Sequence, residues 1–566
     1  MNKAINIYQV FTRLFRNDNG ANKAFGSLAE NGCSKFEHFT PLVLQALKEF
    51  GITHIWFTGI LRHASCTSYE QIGIPANNPL IVKGIAGSPY AVTDYYDVDP
   101  DLATEPGNRM KEFEDLILRC HSEGLKIIID FVPNHVARQY KSKNLPLGTV
   151  DLGAQDTPEH AFSASNNFYY IPGEPFRVPD GIHFPYTDVA GMYAENPAKA
   201  TGNDAFTATP GIYDWYETVK LNYGIDYQNN HQTHFDPVPD TWKKMADIMR
   251  FWAQKGVDGL RCDMAEMIPV QFWNATLPKL KKEFNELIFI AEVYNPQEYI
   301  NFLQAGFDYL YDKVGLYDIM RGLTEGHGST GSITNLWQKY EGYSHKMLRF
   351  LENHDEQRIA SSQFAGDPWK AMPAMILAAT LNTGPFMVYF GQELGEKAID
   401  SEGYSGYDGR TTIFDYWQLK EYQKWVNKGK VNTELLNQEQ KNLREFYSKL
   451  LKLRLYSKAI HSGGFYDLMW VNQHNHGSDK IYAYLRYFRE DVLLIVLNFN
   501  LNQSLEIQLK IPPDAVKITG LPSSDDWNVT DLMNTDEQSR YQSTKATGNG
   551  IALKLNANSG MVLKIN

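Results

Sequence analysis

Four acidic residues stand at the ends of short apolar runs, where a fold could bring their side chains together. They are Asp130 in IIIDFVPNH, Asp263 in GLRCDMAEM, Glu292 in FIAEVYNP and Asp355 in FLENHDEQR. His135 and His354 lie close to two of these acids, and Arg261 precedes Asp263 by two positions. Residues two apart in a strand project from the same face, and a guanidinium beside a carboxylate keeps it ionised. We therefore expect Arg261 to hold Asp263 in the form that a nucleophile requires.

The types of these residues favour acid–base chemistry with a carboxylate nucleophile. No cluster of cysteines and no Ser–His arrangement accompanies them in the sequence. A single acid at the end of a strand is more often a helix cap or a solvated turn residue. Four acids, two histidines and an arginine at strand ends instead indicate a catalytic site, and glycoside hydrolysis commonly uses such a pair of carboxyl groups. These positions predict an enzyme, although they leave the sugar open.

The elements that must position these residues alternate between short strand-like runs and longer helical patterns. Apolar, β-branched runs predict eight strands, at residues 5–11, 54–60, 126–132, 259–264, 287–293, 307–311, 347–352 and 385–390. Helical patterns between them include residues 39–50, 109–123, 241–254 and 269–286. Gly51, Gly124 and Gly256 follow three of these patterns, as C-terminal caps do. This rhythm predicts an α/β protein with a (β/α)8 TIM barrel, whose chemistry lies at the carboxyl ends of the strands.

Two stretches depart from the alternation and predict further domains. Residues 136–225, after the third strand, are rich in Pro, Gly, Tyr and Asn, which indicates an inserted subdomain. The barrel then comprises residues 1–135 and 226–460. Residues 461–566 are expected to form a C-terminal antiparallel β-sandwich, with strands at residues 481–487, 492–498, 505–511, 551–555 and 561–565.

Composition and charge argue against some classes of binding partner for the 566-residue chain. Its net charge of −12 argues against nucleic acid and anionic membranes, because both would repel an acidic surface. No run approaches the roughly 18 apolar residues that span a bilayer. The four cysteines lack CxxC and metal-ligand spacing, which predicts free thiols in a reducing compartment. Residues 1–8 enter a strand without a signal peptide, so we expect a cytoplasmic protein; a periplasmic or secreted protein with a removed leader is the alternative.

The segments around the four acids resemble motifs of the α-amylase superfamily of retaining α-glycoside hydrolases and transglycosidases. The matching segments are DFVPNH, GLRCDMA, FIAEVYN and ENHDEQR, in that family's order, with GSPYAVTDYY ahead of them. The resemblance implies a nucleophile at Asp263, an acid/base at Glu292 and a residue that stabilises the transition state at Asp355. The substrate-binding residues that it implies are Tyr90, Asp130, His135, Arg261 and His354, with Asp94 as a supporting acid.

The resemblance also implies a mechanism and a partner. Glu292, protonated, would donate to the leaving glycosidic oxygen while Asp263 attacks the anomeric carbon. Water or another sugar would then release a covalent β-glucosyl intermediate with the α configuration retained, for which the two carboxyl groups lie roughly 5–5.5 Å apart. The implied partner is an α-glucan or maltooligosaccharide, and no organic cofactor is required.

Two residues depart from the family pattern on the acceptor side of the expected site. Many endo-acting amylases have Lys-His three and four residues after the nucleophile, where this chain has Glu266 and Met267. Either the acceptor differs or another loop supplies those contacts. Two activities therefore stay open: an α-amylase-like hydrolase, and an α-glucanosyltransferase or sucrose/trehalose-type enzyme with the same first step. A catalytically dead binding subunit is a third alternative, which retention of Asp263, Glu292 and Asp355 disfavours.

Calcium is a further point that the resemblance leaves open. In the family, Asn134 is often a calcium ligand, completed by an acid of the inserted domain and a main-chain carbonyl. Asp188 or Asp214 could supply the acid, and Met267 the carbonyl. The alternative is that Asn134 only hydrogen-bonds a loop, as in calcium-free relatives. Residues 17–20, NDNG, are likewise either a calcium loop or an ordinary turn.

Overall fold

Eight parallel strands form the centre of the molecule in the computed structural model, which describes residues 4–187, 191–398, 401–473, 479–522, 527–533 and 550–565. In chain order they are β1 (Asn6–Phe11), β2 (His54–Thr58), β3 (Lys126–Phe131), β4 (Gly259–Cys262), β5 (Ile288–Ala291), β6 (Tyr309–Tyr311), β7 (Met347–Leu348) and β8 (Phe386–Tyr389). The sheet order is β7–β6–β5–β4–β3–β2–β1–β8, and a parallel bridge between Arg349 and Phe386 joins the outer strands. The predicted TIM barrel is confirmed, and each strand lies within its predicted run.

The barrel strands are buried because their apolar residues point both inward and outward. β3 reads KIIIDF, and only its first residue is partly exposed. Alternate side chains fill the barrel interior or pack beneath the surrounding helices, so a strand of this kind is apolar on both faces. The run of isoleucines therefore carries Asp130 into a buried position near the carboxyl end of β3.

Helices surround the barrel, and their ends have the expected caps. The Thr40 side chain accepts a hydrogen bond from the Val43 N–H at the start of Pro41–Phe50, and Gly51 ends that helix with φ of 108°. Gly124 and Gly256 also adopt positive φ, as a C-terminal cap requires. The helices of this part of the chain are Leu28–Asn31, Pro41–Phe50, Arg109–Ser122, Asp240–Gln254, Val270–Glu283, Tyr299–Gln304, Asp318–Thr324, Gly331–Lys339, Met372–Thr380, Lys420–Val426, Gln438–Tyr456 and Lys458–His461.

The chain between β3 and helix Asp240–Gln254 contains short antiparallel strand pairs. His135–Ala137 pairs with Thr218–Lys220, and Tyr170–Ile171 pairs with Ala198–Lys199. The first pair sets His135 opposite Lys220. The boundaries of the inserted subdomain, residues 136–225, stay a prediction.

The C-terminal part of the chain folds into two antiparallel sheets. The larger sheet contains, in spatial order, Gly464–Asp467, Ile481–Phe488, Asp491–Asn498, Ser559–Ile565 and Val529–Asp531. The smaller one pairs Leu505–Leu509 with Ile551–Leu555. Two short helices, Met469–Asn472 and Pro513–Thr519, complete it. The five predicted strands are present, and Gly464–Asp467 and Val529–Asp531 are additional to them.

Membrane spans and thiols were two expectations drawn from the sequence. In the described ranges, every helix is too short or too polar to cross a membrane. All four cysteines, at positions 33, 66, 120 and 262, are free thiols, as predicted.

Candidate active site

The carboxyl ends of four barrel strands place the four acids at one rim. Asp263 and Glu292 directly follow β4 and β5, and Asp130 is the last residue but one of β3. Asp355 lies in the loop that follows β7. Parallel strands of a closed barrel end at the same side, so residues far apart in sequence meet there.

Arg261 is the common partner of three of these acids. Its guanidinium is fully buried, with Nη1 2.7 Å from Asp263 Oδ1 and 3.2 Å from Asp130 Oδ1. Nη2 lies 2.8 Å from Glu292 Oε1. Nη1 donates hydrogen bonds to Asp263 and Asp130, so it sets the directions of those two carboxyl groups as well as balancing their charge. Nη2 pairs with Glu292 by charge and proximity, without a hydrogen bond. Asp263 and Glu292 thereby lie on the two terminal nitrogens of one side chain.

Aromatic rings enclose this guanidinium. Its centre lies 5.4 Å from the ring centroid of Trp56, 5.7 Å from that of Tyr90 and 5.3 Å from that of Tyr311. Arg261 Nε donates to the Tyr311 hydroxyl at 3.1 Å, and Trp56 Nε1 donates to Asp130 Oδ2 at 3.0 Å. The rings exclude water and attract the cation through their π faces, which strengthens the local electrostatic interactions.

Burial and mutual repulsion raise the pKa values of Asp263, Asp130 and Asp355. Burial raises the pKa of Asp263 well above its ordinary value; the charges of Glu292 and Asp130 add to this, and Arg261 opposes it. Burial is also the main cause that raises the pKa of Asp130 to about 6 and that of Asp355 to about 7. Acids that repel one another at one buried site share protons near neutral pH. Such a site suits chemistry in which one carboxyl group is an acid and another a nucleophile.

Glu292 is held by donors on two neighbouring segments. The Met264 N–H donates to Glu292 Oε2 at 2.7 Å, and the Tyr294 hydroxyl donates to Glu292 Oε1 at 2.6 Å. Met264 has φ of 44°, so the chain turns sharply directly after Asp263 and directs this N–H toward the neighbouring strand end. Asp263 and Glu292 are thus connected through backbone as well as through Arg261.

His354 and Tyr90 form a stacked pair beside Asp355. Their ring centroids lie 5.3 Å apart at 24°, and the Tyr90 hydroxyl is hydrogen-bonded to His354 Nε2. Gln9 Nε2 lies 2.8 Å from His354 Nδ1, and His354 Nε2 lies 3.1 Å from Asp355 Oδ2. An amide nitrogen only donates, so Nδ1 accepts and the ring proton is on Nε2. Burial lowers the pKa of His354 well below its ordinary value, which keeps the ring neutral.

His135 reaches the same region through Tyr90. Its ring is hydrogen-bonded to the Tyr90 backbone and lies 5.3 Å from the ring of Trp215. Burial, with help from the Lys220 charge, lowers the pKa of His135 to about 3, so this ring is also neutral. A neutral imidazole can donate to a sugar hydroxyl without adding charge to the site.

Asn134 has a lysine where a calcium ion would lie. Lys220 Nζ donates to Asn134 Oδ1 at 2.8 Å and pairs with Asp204 Oδ1 at 2.5 Å, while Asn134 Nδ2 donates to the Gly202 carbonyl at 2.8 Å. The Lys220 side chain is only 2% exposed. An ammonium group and a calcium ion cannot occupy the same position, so these residues do not fit calcium.

The other residues proposed for calcium either have protein partners or are not tested by the structure. Asp188 lies outside the described residues, and Asp214 accepts hydrogen bonds from the Asn203 side chain and the Gly211 N–H. In residues 17–20 the Asp18 carboxylate pairs with Arg16 at 2.8 Å. Across the described part of the chain, no group of three His, Cys, Asp or Glu side chains could hold a metal ion. The proposed contribution of the Met267 carbonyl stays a prediction.

Glu266, one of the two residues on the acceptor side, is tied to the loop after β5. Its Oε2 accepts from the Tyr294 N–H at 2.9 Å and from the Asn295 N–H at 3.0 Å. This carboxylate therefore fixes the backbone of the loop that carries Tyr294. Met267 is partly exposed beside it.

Several residues at the site were not among those singled out in the sequence. Gln9, Trp56, Tyr294 and Tyr311 contact His354, Asp130, Glu292 and Arg261 respectively. The first two lie within predicted strands, Tyr311 ends one, and Tyr294 follows Glu292 by two positions. A signal for three of them was available: Gln9, Tyr294 and Tyr311 stand near the carboxyl end of a predicted barrel strand, where side chains converge, whereas Trp56 lies inside its strand.

Two family models match the chain. The model described as "Alpha amylase, catalytic domain" matches residues 9–463, and "Alpha amylase, C-terminal all-beta domain" matches residues 470–566. Alpha-amylase 3 of Dictyoglomus thermophilum is 25% identical over 516 residues, which cover 87% of this chain and 84% of that relative. Neopullulanase 2 of Thermoactinomyces vulgaris is 21% identical over 524 residues, covering 90% and 72%. A cyclomaltodextrin glucanotransferase of Geobacillus stearothermophilus is 21% identical, and the match spans 59% of its length.

Solved structures agree in fold. A noncanonic maltogenic α-amylase from Thermotoga neapolitana superposes with a TM-score of 0.62 and 21% identity, covering 99% of this chain and 98% of that chain. The α-amylase from H. orenii gives a TM-score of 0.62 at 18% identity, covering 100% of both chains.

Proposed function

The chain belongs to the α-amylase family of glycoside hydrolases, and we propose that it hydrolyses α-glucosidic bonds of α-glucans or maltooligosaccharides through a covalent glucosyl–enzyme intermediate. One observation carries this proposal: the Arg261 guanidinium holds Asp263 on one nitrogen and Glu292 on the other, at the carboxyl ends of adjacent strands. Two carboxyl groups fixed side by side suit a reaction with one acid and one nucleophile.

In the proposed first step, Asp263 attacks the anomeric carbon as the glycosidic bond breaks. The proton of Glu292 goes to the leaving oxygen, the Asp263 oxygen forms the new bond to carbon, and the shortened glucan leaves as an alcohol. Asp355, Tyr90 and His354 lie together beside this pair and offer hydrogen bonds to ring hydroxyls. Contacts that become stronger as the ring gains positive charge would lower the barrier.

In the second step, Glu292 acts as the base. It takes a proton from water, the water oxygen bonds to the anomeric carbon, and Asp263 leaves as a carboxylate. The Met264 N–H and the Tyr294 hydroxyl both donate to Glu292. We infer that these two donors hold the Glu292 carboxyl group in position through both steps.

Transfer of the glucosyl group to a second sugar is the alternative to hydrolysis. The contacts of Glu266 are the observation that favours keeping this alternative. Glu266 is committed to two backbone N–H groups of the loop after β5, so the acceptor must be bound by other residues than a Lys-His pair. A glucanosyltransferase or a sucrose- or trehalose-type enzyme would share the first step and differ only in what attacks the intermediate.

Product analysis over time on maltose, maltoheptaose, pullulan, sucrose and trehalose tests these proposals. Hydrolysis predicts shorter α-linked products from maltoheptaose, with the first-formed reducing ends in the α configuration by NMR. Products longer than the starting sugar would replace hydrolysis by transfer, and first-formed β anomers would contradict the covalent intermediate. Failure to cleave any of the five sugars would contradict the proposed substrate class.

A further inference from the structure

A second groove lies between the barrel and the C-terminal sheets, and none of its lining residues belongs to the catalytic centre. Its volume is about 980 Å³, and it is bounded by helix Gly331–Lys339 on one side and by strand Gly464–Asp467 with helix Met469–Asn472 on the other. We propose that this groove binds a stretch of α-glucan chain as a secondary site. The proposal rests on the proposed function for the identity of the glucan.

Aromatic side chains supply the surfaces on which sugar rings could lie. Trp470 is 57% exposed, and it is the one tryptophan among the large exposed hydrophobic residues of the described ranges. Trp337 and Phe465, both partly exposed, line the same groove and pack against each other with ring centroids 5.2 Å apart. The C–H faces of a glucosyl ring are apolar and pack well on flat rings, whereas an exposed indole keeps a large apolar area in water.

A buried carboxylate holds one of these rings in place before any ligand binds. Asp467 Oδ2 accepts from Trp337 Nε1 at 2.7 Å, from Thr334 Oγ1 at 2.7 Å and from the Tyr482 hydroxyl at 3.0 Å. Asp467 is 7% exposed, and its other oxygen accepts from the Met469 N–H at 2.6 Å. These hydrogen bonds join the helix and the C-terminal strand beneath the groove. Because the Trp337 side chain is already held in place, it loses little conformational entropy when a ligand binds.

The polar groups of the groove suit hydroxyls better than charged ligands. Asn335 and Gln338 are exposed amides on the helix, and each can donate to and accept from hydroxyl groups. Among the described lining residues there is no lysine or arginine, so an anionic ligand would lack a counter-charge. The carboxylates of Asp467 and Asp514 are engaged with protein donors, the latter with the Tyr466 hydroxyl at 2.5 Å. Flat aromatic rings and amide groups, without a lysine or arginine among the described lining residues, suit a neutral polyhydroxyl chain.

A glucan bound in this groove would raise the local concentration of its α-glucosidic bonds near the catalytic centre. Such tethering acts only on chains long enough to engage both sites. We therefore expect the groove to increase activity on a polymer and to leave activity on short substrates unchanged.

The test uses the full chain with an inactive catalytic site. Native gel electrophoresis of Asp263→Asn in gels with and without soluble starch measures binding without turnover. We expect starch to retard Asp263→Asn, and the double variant Asp263→Asn/Trp470→Ala to bind about ten-fold more weakly. Tyr456→Ala in the same background removes another large exposed aromatic ring, 79% exposed and outside the groove, and is the matched control.

A second arm measures rates in the active enzyme. Trp470→Ala and Gln338→Ala should lower kcat/KM on soluble starch several-fold while kcat/KM on maltotriose is unchanged. Equal retardation of the Trp470 and Tyr456 variants would overturn the groove as a glucan site, even if maltotriose is hydrolysed. Loss of a dimer in Trp470→Ala by light scattering, with starch retardation intact, would also overturn it in favour of a second copy as occupant. Absence of cleavage of either sugar contradicts the proposed function alone, because starch retardation is measured separately.

Discussion

Among the individual residues of the site, Arg261 is the one that several acids share as their partner. Its guanidinium has three carboxylate partners within 3.2 Å and is fully buried. A cation in such a position keeps several acids close together without their all being protonated. Removing any one acid therefore changes the proton affinity of the others as well as its own chemistry.

Replacement of either proposed catalytic acid should abolish activity without unfolding the protein. Asp263→Asn and Glu292→Gln preserve side-chain shape, and each should lower kcat on maltoheptaose by about 10³-fold or more because bond formation or proton transfer is lost. The thermal midpoint should stay unchanged or rise, since a repelling buried charge is removed. Initial rates and a melting curve measure both effects. Glu341→Gln, on an exposed residue, is the control, and normal turnover in either acid variant would refute the assignment.

The pH profile should shift when Asp130 loses its charge. The negative charge of Asp130 raises the pKa of Asp263, which must be ionised to attack. Asp130→Asn removes that repulsion, so the pKa of Asp263 falls and the acid limb of kcat/KM moves to lower pH. The measurement is kcat/KM on para-nitrophenyl maltoside from acid to neutral pH. An acid limb that moves to higher pH would contradict the described coupling.

Among the elements of the fold, the loops after the strands position the side chains of the site. The turn after β4 contributes Glu266, whose carboxylate holds two backbone N–H groups of the loop after β5. That loop carries Tyr294, which in turn holds Glu292. The acid/base is therefore positioned by a chain of contacts that crosses between adjacent strands.

Loss of the Glu266 carboxylate should loosen this loop. Glu266→Ala leaves the N–H groups of Tyr294 and Asn295 without their acceptor, which should lower the free energy of unfolding by about 1 kcal/mol. Less restraint on Tyr294 should lower kcat more than it changes KM. Urea unfolding and steady-state kinetics on maltoheptaose measure these effects. Glu266→Gln keeps an acceptor oxygen and should restore most of both, and an equal loss in the Gln variant would argue against the hydrogen bonds as the cause.

The Asn134 region should depend on a lysine and not on calcium. Lys220→Met leaves Asn134 Oδ1 without its donor and Asp204 without its ion pair. We expect a loss of about 2 kcal/mol in the free energy of unfolding, discounted from a fully buried pair because Asp204 is partly exposed.

Chelation provides the complementary measurement for that region. EDTA should leave the thermal midpoint of the unmodified protein unchanged. A midpoint that falls with EDTA and recovers with added calcium would show a calcium site that the described residues do not contain.

In the molecule as a whole, Arg486 connects the barrel to the C-terminal domain. Arg486, on strand Ile481–Phe488, donates to the carbonyls of Leu381, Ala459, Ile460 and Gly463 at 2.9–3.1 Å. Burial lowers the pKa of this side chain to about 10. A buried cation that donates four hydrogen bonds to carbonyls of both parts of the chain fixes them in one arrangement.

Arg486→Met should therefore weaken the whole molecule. Four carbonyls lose their donor, and we expect about 3 kcal/mol less free energy of unfolding, while kcat on maltotriose at 25 °C is retained because the site is on the barrel. Arg489→Met, on an exposed residue three positions later, is the matched control. Equal stability of the two variants in urea would contradict the role of Arg486.

The hydrophobic pattern of the sequence was enough to predict the barrel and the rim where the acids lie. Apolar runs such as IIIDF are typical of parallel strands covered on both faces, and eight of them alternating with helices predict a closed barrel, at whose rim residues meet regardless of their separation. Asp130, Asp263 and Glu292 were placed in this way. The family motifs reached the same residues from their order along the chain.

The partner that each of these side chains meets could not be predicted from the sequence, because it depends on how distant elements pack. Lys220 meets Asn134 across 86 positions, and Trp337 meets Asp467 across 130, and neither pair leaves a periodic pattern in the sequence. The short strands Gly464–Asp467 and Val529–Asp531 lack enough alternating residues to be recognised. Side-chain contacts of this kind depend on how separate elements pack, whereas hydrophobic periodicity reports only which face of one element is buried.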